Sequence, residues 1–164
     1  MNGTLYIVAT PIGNLEDLSP RAARILAEVD LIACEDTRQT HKLLQHLHLE
    51  KQMTSYHDHN EREKIAGLIA RLEEGKSIAL VSDAGTPTLS DPGFRLVQEA
   101  VDRAIPVSPV PGPSAAVAAL AASGLPTDSF YFGGFFSHKR SQRQQQMEAV
   151  GNLPATLIFY ESPH

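Results

Sequence analysis

Short apolar runs alternate with stretches of helical periodicity along almost all of this chain, and that alternation limits the fold more than any other feature. Leu5-Tyr6-Ile7-Val8-Ala9, Leu31-Ile32-Ala33-Cys34 and Ser77-Ile78-Ala79-Leu80-Val81 are apolar at nearly every consecutive position. Such strands are buried on both faces, as in parallel sheets. Parallel neighbours need a long crossover, usually a helix. The intervening segments have that character. Ser19-Pro20 opens the first, with Ser as N-cap and Pro at the first helical position. Ala22, Ile25, Leu26 and Val29 form its apolar face. Leu43, Leu44 and Leu47 mark a second helix. Asn60 and Glu63 read as a capping box for a third, which carries Ile65, Leu68, Ile69 and Leu72 and ends at Gly75. Asp91-Pro92 starts a fourth, with Leu96, Val97, Ala100 and Val101 facing inward. After a short strand over 106–110, Pro111-Gly112-Pro113 leads into an alanine-rich helix that Gly124 stops. The expectation is an α/β domain over 1–123: a parallel sheet with helices on both faces.

The pattern restarts at Leu125-Pro126-Thr127. The dense aromatic stretch Phe130-Tyr131-Phe132-Gly133-Gly134-Phe135-Phe136 is followed by a polar helix from about His138 to Val150, then a strand at Thr156-Leu157-Ile158-Phe159-Tyr160. A strand without its following helix is an incomplete unit. A second α/β domain is therefore expected to begin at 124 and to be truncated at 164.

Charge narrows the function. The formal net charge of −5 argues against a general nucleic-acid coat. Residues 1–125 hold 11 Lys/Arg against 16 Asp/Glu, whereas 126–164 hold 3 of each. Lys139, Arg140 and Arg143 cluster there beside His138, and the ordinary reading of such a cluster is a solvated helix face. Cys34 is the only cysteine, so no internal disulfide can form, which fits a reducing cytoplasm. No apolar run approaches the roughly 20 residues that span a bilayer, and the N-terminus has no secretory pattern. A cytoplasmic protein with no membrane partner is expected.

In an open parallel sheet, ligands bind outside the carboxyl ends of the strands. Three unusual turns fall at such ends: Thr10-Pro11-Ile12-Gly13-Asn14, Ser82-Asp83-Ala84-Gly85-Thr86-Pro87 and Pro111-Gly112-Pro113-Ser114. Gly13, Gly85 and Gly112 permit close backbone approach to a ligand. Asp83 offers a carboxylate to a cation. The helix after Gly112 points the N–H groups of Ser114 and Ala115 at an anion. A ligand with a sulfonium or ammonium and a carboxylate suits that set. Glu35-Asp36-Thr37-Arg38 follows the second strand; it either faces a substrate or is an acidic helix start. Other chemistries fail on their residues. Gly75-Lys76-Ser77 lacks the earlier glycine of a phosphate loop, since position 70 is Ala. No Gly-x-Gly-x-x-Gly occurs, and Ser114 lacks the following glycine of a nucleophile elbow. His46-x-His48 and His57-x-His59 have no supporting ligand pattern, so no metal is expected.

Taken in order, Leu5 to Leu15, Cys34-Glu35-Asp36-Thr37-Arg38, Ser82 to Pro87, Pro111 to Ala115 and Phe159-Tyr160-Glu161-Ser162-Pro163-His164 resemble the tetrapyrrole methylase superfamily, the class III methyltransferases. The likeness is to its ribosomal-RNA-methylating branch and runs from about residue 4 to the end. It implies two α/β domains with S-adenosylmethionine in the cleft between them. It implies 2′-O-methylation of a cytidine ribose in small-subunit (16S) ribosomal RNA, with the 30S subunit as partner and a homodimer as the working form. Carried over by residue, the cofactor positions are Pro11, Asp83, Gly85, Thr86, Ser114, Ala115, Tyr160 and Glu161. Gly13, Asn14 and Arg38 fall at substrate positions. Asp36 is the candidate base, and Arg38 could hold a phosphate. Methylation of a tetrapyrrole carbon and a non-catalytic α/β binding module are the alternatives.

Overall fold

The computed structural model describes residues 2–162. Its contacts divide the chain into two compact units, one running to Ser114 and the other starting at Ala115.

The first unit is a five-stranded, all-parallel sheet in the order β3-β2-β4-β1-β5. Its strands are β1 (Leu5–Val8), β2 (Leu31–Cys34), β3 (Met53–Ser55), β4 (Ile78–Val81) and β5 (Val107–Val110). The helices are α1 (Pro20–Glu28), α2 (Thr37–His46), α3 (Glu61–Glu73) and α4 (Phe94–Asp102). Alternation along each strand feeds two cores. Leu31, Ala33, Ile78 and Leu80 pack with Leu68, Ile69 and Leu72 of α3 and Leu96 and Ala100 of α4. Ile32, Cys34, Ala79 and Val81 face the other way, against Ala22, Ile25 and Leu26 of α1 and Leu43 and Leu44 of α2. Helices thus cover both faces, as the apolar runs require.

Local signals hold at most helix ends. Ser19 Oγ accepts from the Ala22 N–H at 3.0 Å, with Pro20 at the first helical position. The capping box at α3 does not form. Asn60 stands at the N-cap, but its side-chain oxygen accepts from the His57 N–H at 2.9 Å and its amide donates back to Ser55. The side chain braces the preceding loop instead. At α4 the helix starts at Phe94, not at Asp91-Pro92, and Val101 is exposed, not inward. β3 has no apolar run to announce it; it is a three-residue edge strand held by backbone pairing to β2.

The second unit comprises α5 (Ala115–Ala122), β6 (Phe130–Phe135), α6 (Arg140–Val150) and β7 (Thr156–Tyr160). β6 and β7 form a two-stranded parallel sheet, and α6 is their crossover. Aromatic rings dominate its packing: Phe136 stacks on Phe159 at 4.1 Å, and Phe132 and Phe135 meet Tyr160 edge-on. Phe130, Tyr131 and Phe135 remain exposed.

Candidate functional site

β4, β1 and β5 are adjacent and parallel, so their carboxyl ends lie side by side. The three glycine-bearing turns stand on that rim and are bonded to one another. Thr10 and Gly85 exchange both backbone hydrogen bonds, at 2.9 and 3.0 Å. The buried Thr10 hydroxyl donates to the Ser82 carbonyl at 3.2 Å. Thr86 Oγ1 donates to the Pro113 carbonyl at 3.1 Å. Gly85 has φ +83°, in the left-handed region that glycine enters without strain. At Gly112 any Cβ would lie 2.9 Å from the Ala9 Cβ, so only glycine lets this turn approach β1 so closely. Gly13 and Asn14 lie on the outer side of the first turn, where Asn14 accepts from the Glu16 N–H at 3.1 Å and starts a 3-10 turn over Leu15–Asp17.

The segment after β2 joins the same rim. Asp83 Oδ1 accepts the Asp36 N–H at 3.0 Å. Asp36 in turn caps α2, accepting the Arg38 N–H at 2.8 Å, and pairs with the Arg38 guanidinium at 2.7 Å. Both readings of this segment are therefore met together: it is a helix start, and it lies beside Asp83. Bonds from the Arg38 side chain, then from its backbone, lower the Asp36 pKa to about 2. A carboxylate with so low a pKa is poorly matched to proton abstraction near neutrality.

The neighbouring acids behave in the opposite way. Burial pushes the carboxyls of Glu35, Asp83 and Asp91 upward, and their charges reinforce one another, with Asp58 adding to Glu35 and Asp91. Among the described residues, none of these three pairs with a Lys or Arg within 4.0 Å. The rim is a set of partly desolvated carboxylates without an ionic partner. Such a surface favours a cation. Asp91, Asp58 and the buried Thr40 were not singled out from the sequence as site residues. Thr40 was legible in principle, because it shares the helical spacing of Leu43, Leu44 and Leu47.

In the second unit, Tyr160 OH accepts the Ala116 N–H at 3.1 Å, at the start of α5. Glu161 is exposed, 3.8 Å from Arg143. Ser162 ends the described chain, so Pro163 and His164 of the final motif lie outside the described residues. Among the described residues, no group of three or more His, Cys, Asp or Glu is arranged to hold a metal. No helix there is long and apolar enough to cross a membrane.

This rim, on an all-parallel sheet with its turns locked together, belongs to a known class. The chain is a member of the tetrapyrrole (corrin/porphyrin) methylases, whose family pattern matches residues 4–164. It is 54% identical over 162 residues to ribosomal RNA small subunit methyltransferase I of Pseudomonas aeruginosa, covering 99% of this chain and 57% of that protein. The protein of the same name from Escherichia coli O157:H7 is 52% identical over 162 residues, with 99% and 57% covered. The chain thus spans a little over half the length of these relatives. Among solved structures, uroporphyrin-III-C-methyltransferase of Thermus thermophilus is 25% identical, with a TM-score of 0.61 over 97% of this chain and 68% of that one. Diphthine synthase, at 17% identity, shares the fold with a TM-score of 0.78 over 99% of this chain and 65% of that one.

Proposed function

We propose that the chain carries the amino-terminal part of an S-adenosylmethionine-dependent methyltransferase that acts on small-subunit ribosomal RNA, at the 2′-oxygen of a cytidine. Relatives more than half identical over nearly the whole chain are named as ribosomal RNA small subunit methyltransferases. The observation that carries the cofactor half is the acidic rim. S-adenosylmethionine supplies a methyl group on a positively charged sulfur. Glu35, Asp83 and Asp91, crowded and without a basic partner, gain from a cation beside them.

The chain's own residues divide the work. Asp83, held by the Asp36 N–H, faces the cationic part of the cofactor. Pro11, Gly85 and Thr86 shape the wall around it, and the N–H groups at Ser114 and Ala115 receive its carboxylate. Tyr160 and Glu161 are the cofactor contacts proposed from the second unit. Gly13, Asn14 and Arg38 are proposed to meet the RNA, Arg38 through a phosphate once it leaves Asp36. Asp36 positions Asp83 and Arg38, since its low pKa makes it a weak base. The domains are proposed to be 1–123 and a second beginning at 124. The 30S subunit as acceptor, the cytoplasm and a homodimer complete the proposal, on the resemblance of the motifs.

The test incubates full-length protein and methyl-labelled S-adenosylmethionine with either unmethylated 30S subunits or uroporphyrinogen. Label recovered as 2′-O-methylcytidine is the expected result. Label in the tetrapyrrole, or in neither acceptor, would overturn the reading.

A further inference from the structure

Thr40 lies on the second turn of α2, and its residue is 4% exposed. Its Oγ1 is buried and has no hydrogen-bond partner. A helical threonine commonly bonds back to the carbonyl four residues earlier. Here that carbonyl, of Asp36, accepts only the Thr40 backbone N–H, at 3.1 Å. The nearby Cys34 thiol feels the hydroxyl, but the thiol itself points to the Thr54 carbonyl at 3.6 Å, and sulfur is a weak acceptor. A buried hydroxyl left unsatisfied is costly and calls for a cause.

The cause lies in the space beside it. Thr40 borders a cavity of about 80 Å³, together with Thr10, Pro11, Leu15, Leu43, Ser82 and Asp83. That volume holds a group of a few heavy atoms. The Thr10 hydroxyl has already given its hydrogen to the Ser82 carbonyl, and the Ser82 hydroxyl points at the Ala84 and Gly85 carbonyls. Towards the cavity both can only accept. Asp83 also accepts only, and one of its oxygens is taken by the Asp36 N–H. The lining therefore holds an excess of acceptors, one free hydroxyl and no cation, so it rejects a phosphate or carboxylate. An ammonium would satisfy Asp83 but could not accept from Thr40. A hydroxyl does both: it donates to Asp83 and accepts from Thr40 Oγ1.

We propose that this cavity, between the turn after β1, α2 and the turn after β4, is a subsite for a sugar hydroxyl of the methyl acceptor, with Thr40 as the positioning residue. This deepens the methyl-transfer reading and rests on it. The subsite places the hydroxyl against Asp83, the same carboxylate proposed to face the cofactor's cation, and its shape admits a sugar edge without reading a base.

The experiment is an NMR titration of the chain with cytidine, in the absence of cofactor, following the Thr40 methyl and its neighbours. Saturable shifts at Thr40, Leu43 and Ser82 are expected. Thr40→Val should weaken cytidine about fivefold, the loss of one ordinary hydrogen bond, and Thr40→Ser should restore it. Adenosine should show the same dependence on Thr40, and free cytosine should leave the Thr40 methyl unmoved. The thermal midpoint of Thr40→Val should hold or rise, because no bond inside the protein is removed. The proposal is overturned if cytidine leaves Thr40 unmoved, if Thr40→Val binds it as tightly as the parent, or if free cytosine reproduces the shifts. No cofactor enters the titration, so its failure leaves the labelled-methyl assay intact, and failure of that assay leaves the titration standing.

Discussion

The two units use one grammar, strand, helix, parallel strand, and reach different ends. In the first, five strands give a sheet with both faces covered; Leu5, Val8, Ile32, Ile78 and Leu80 are at most 1% exposed. In the second, two strands give a sheet on which Phe130 is 48% and Phe135 53% exposed. The difference is one of number, not of residue type, since the second sheet is at least as apolar as the first. Two strands and two helices offer too few faces to close a core. The first unit can hold a rim rigid; the second presents aromatic surface and one contact between a tyrosine and a helix start.

The largest break in this contrast should come from a core deletion. Leu80→Ala in β4 empties space shared with α3 and α4 and is expected to cost about 2–5 kcal/mol in urea denaturation. Leu157→Ala, at a position 37% exposed in β7, should cost well under half as much. Equal losses would show that the second sheet has a core of its own. Next in size is Asp83→Asn. It is expected to weaken S-adenosylmethionine by about 1.5–3 kcal/mol in calorimetry, the range for a hydrogen bond to a charged group. The same change should raise stability at neutral pH. The Asp83 pKa is raised in the folded protein, so ionisation costs stability as pH climbs through that value, and an amide escapes the cost. A variant that loses both stability and affinity would mark Asp83 as structural.

Ser19→Ala removes the α1 cap and should cost about 1 kcal/mol, read as a shift in the denaturation midpoint. Asn60→Ala tests the opposite case. Because Asn60 braces the loop before α3 instead of capping it, its loss should raise hydrogen exchange at His57 while leaving the α3 amides protected. The smallest effect is at Asp36. Its folded pKa lies near 2, below the unfolded value, so its contribution is present above about pH 4 and fades as pH falls towards 2. Asp36→Asn should flatten that acid limb, and an unchanged limb would show that the Arg38 pair forms no better in the folded chain than in the unfolded one.

Much of the first unit was legible because burial on both faces writes itself into consecutive residues. Leu31 to Cys34 and Ser77 to Val81 could be read as strands without any neighbour. β3 could not: Met53, Thr54 and Ser55 are a strand only because β2 offers unpaired backbone at its edge. The capping box at Asn60 and Glu63 was a valid local option that lost to a better one, the hydrogen bonds Asn60 makes to Ser55 and His57. The inward position of Val101 failed because helical periodicity fixes a face but not its width.

The sequence by itself determined the parallel α/β class, the three turns at strand ends and the likeness of the motifs to the methylases, because these rest on spacing along the chain. Only the tertiary structure decided what those turns touch. The strand order puts β1 between β4 and β5, so turns more than seventy residues apart exchange the Thr10 and Gly85 hydrogen bonds. The same order brings Asp36 to Asp83 and leaves the Thr40 hydroxyl facing a cavity. Spacing along a chain cannot carry that information, because which strands become neighbours depends on how all the helices pack their faces at once.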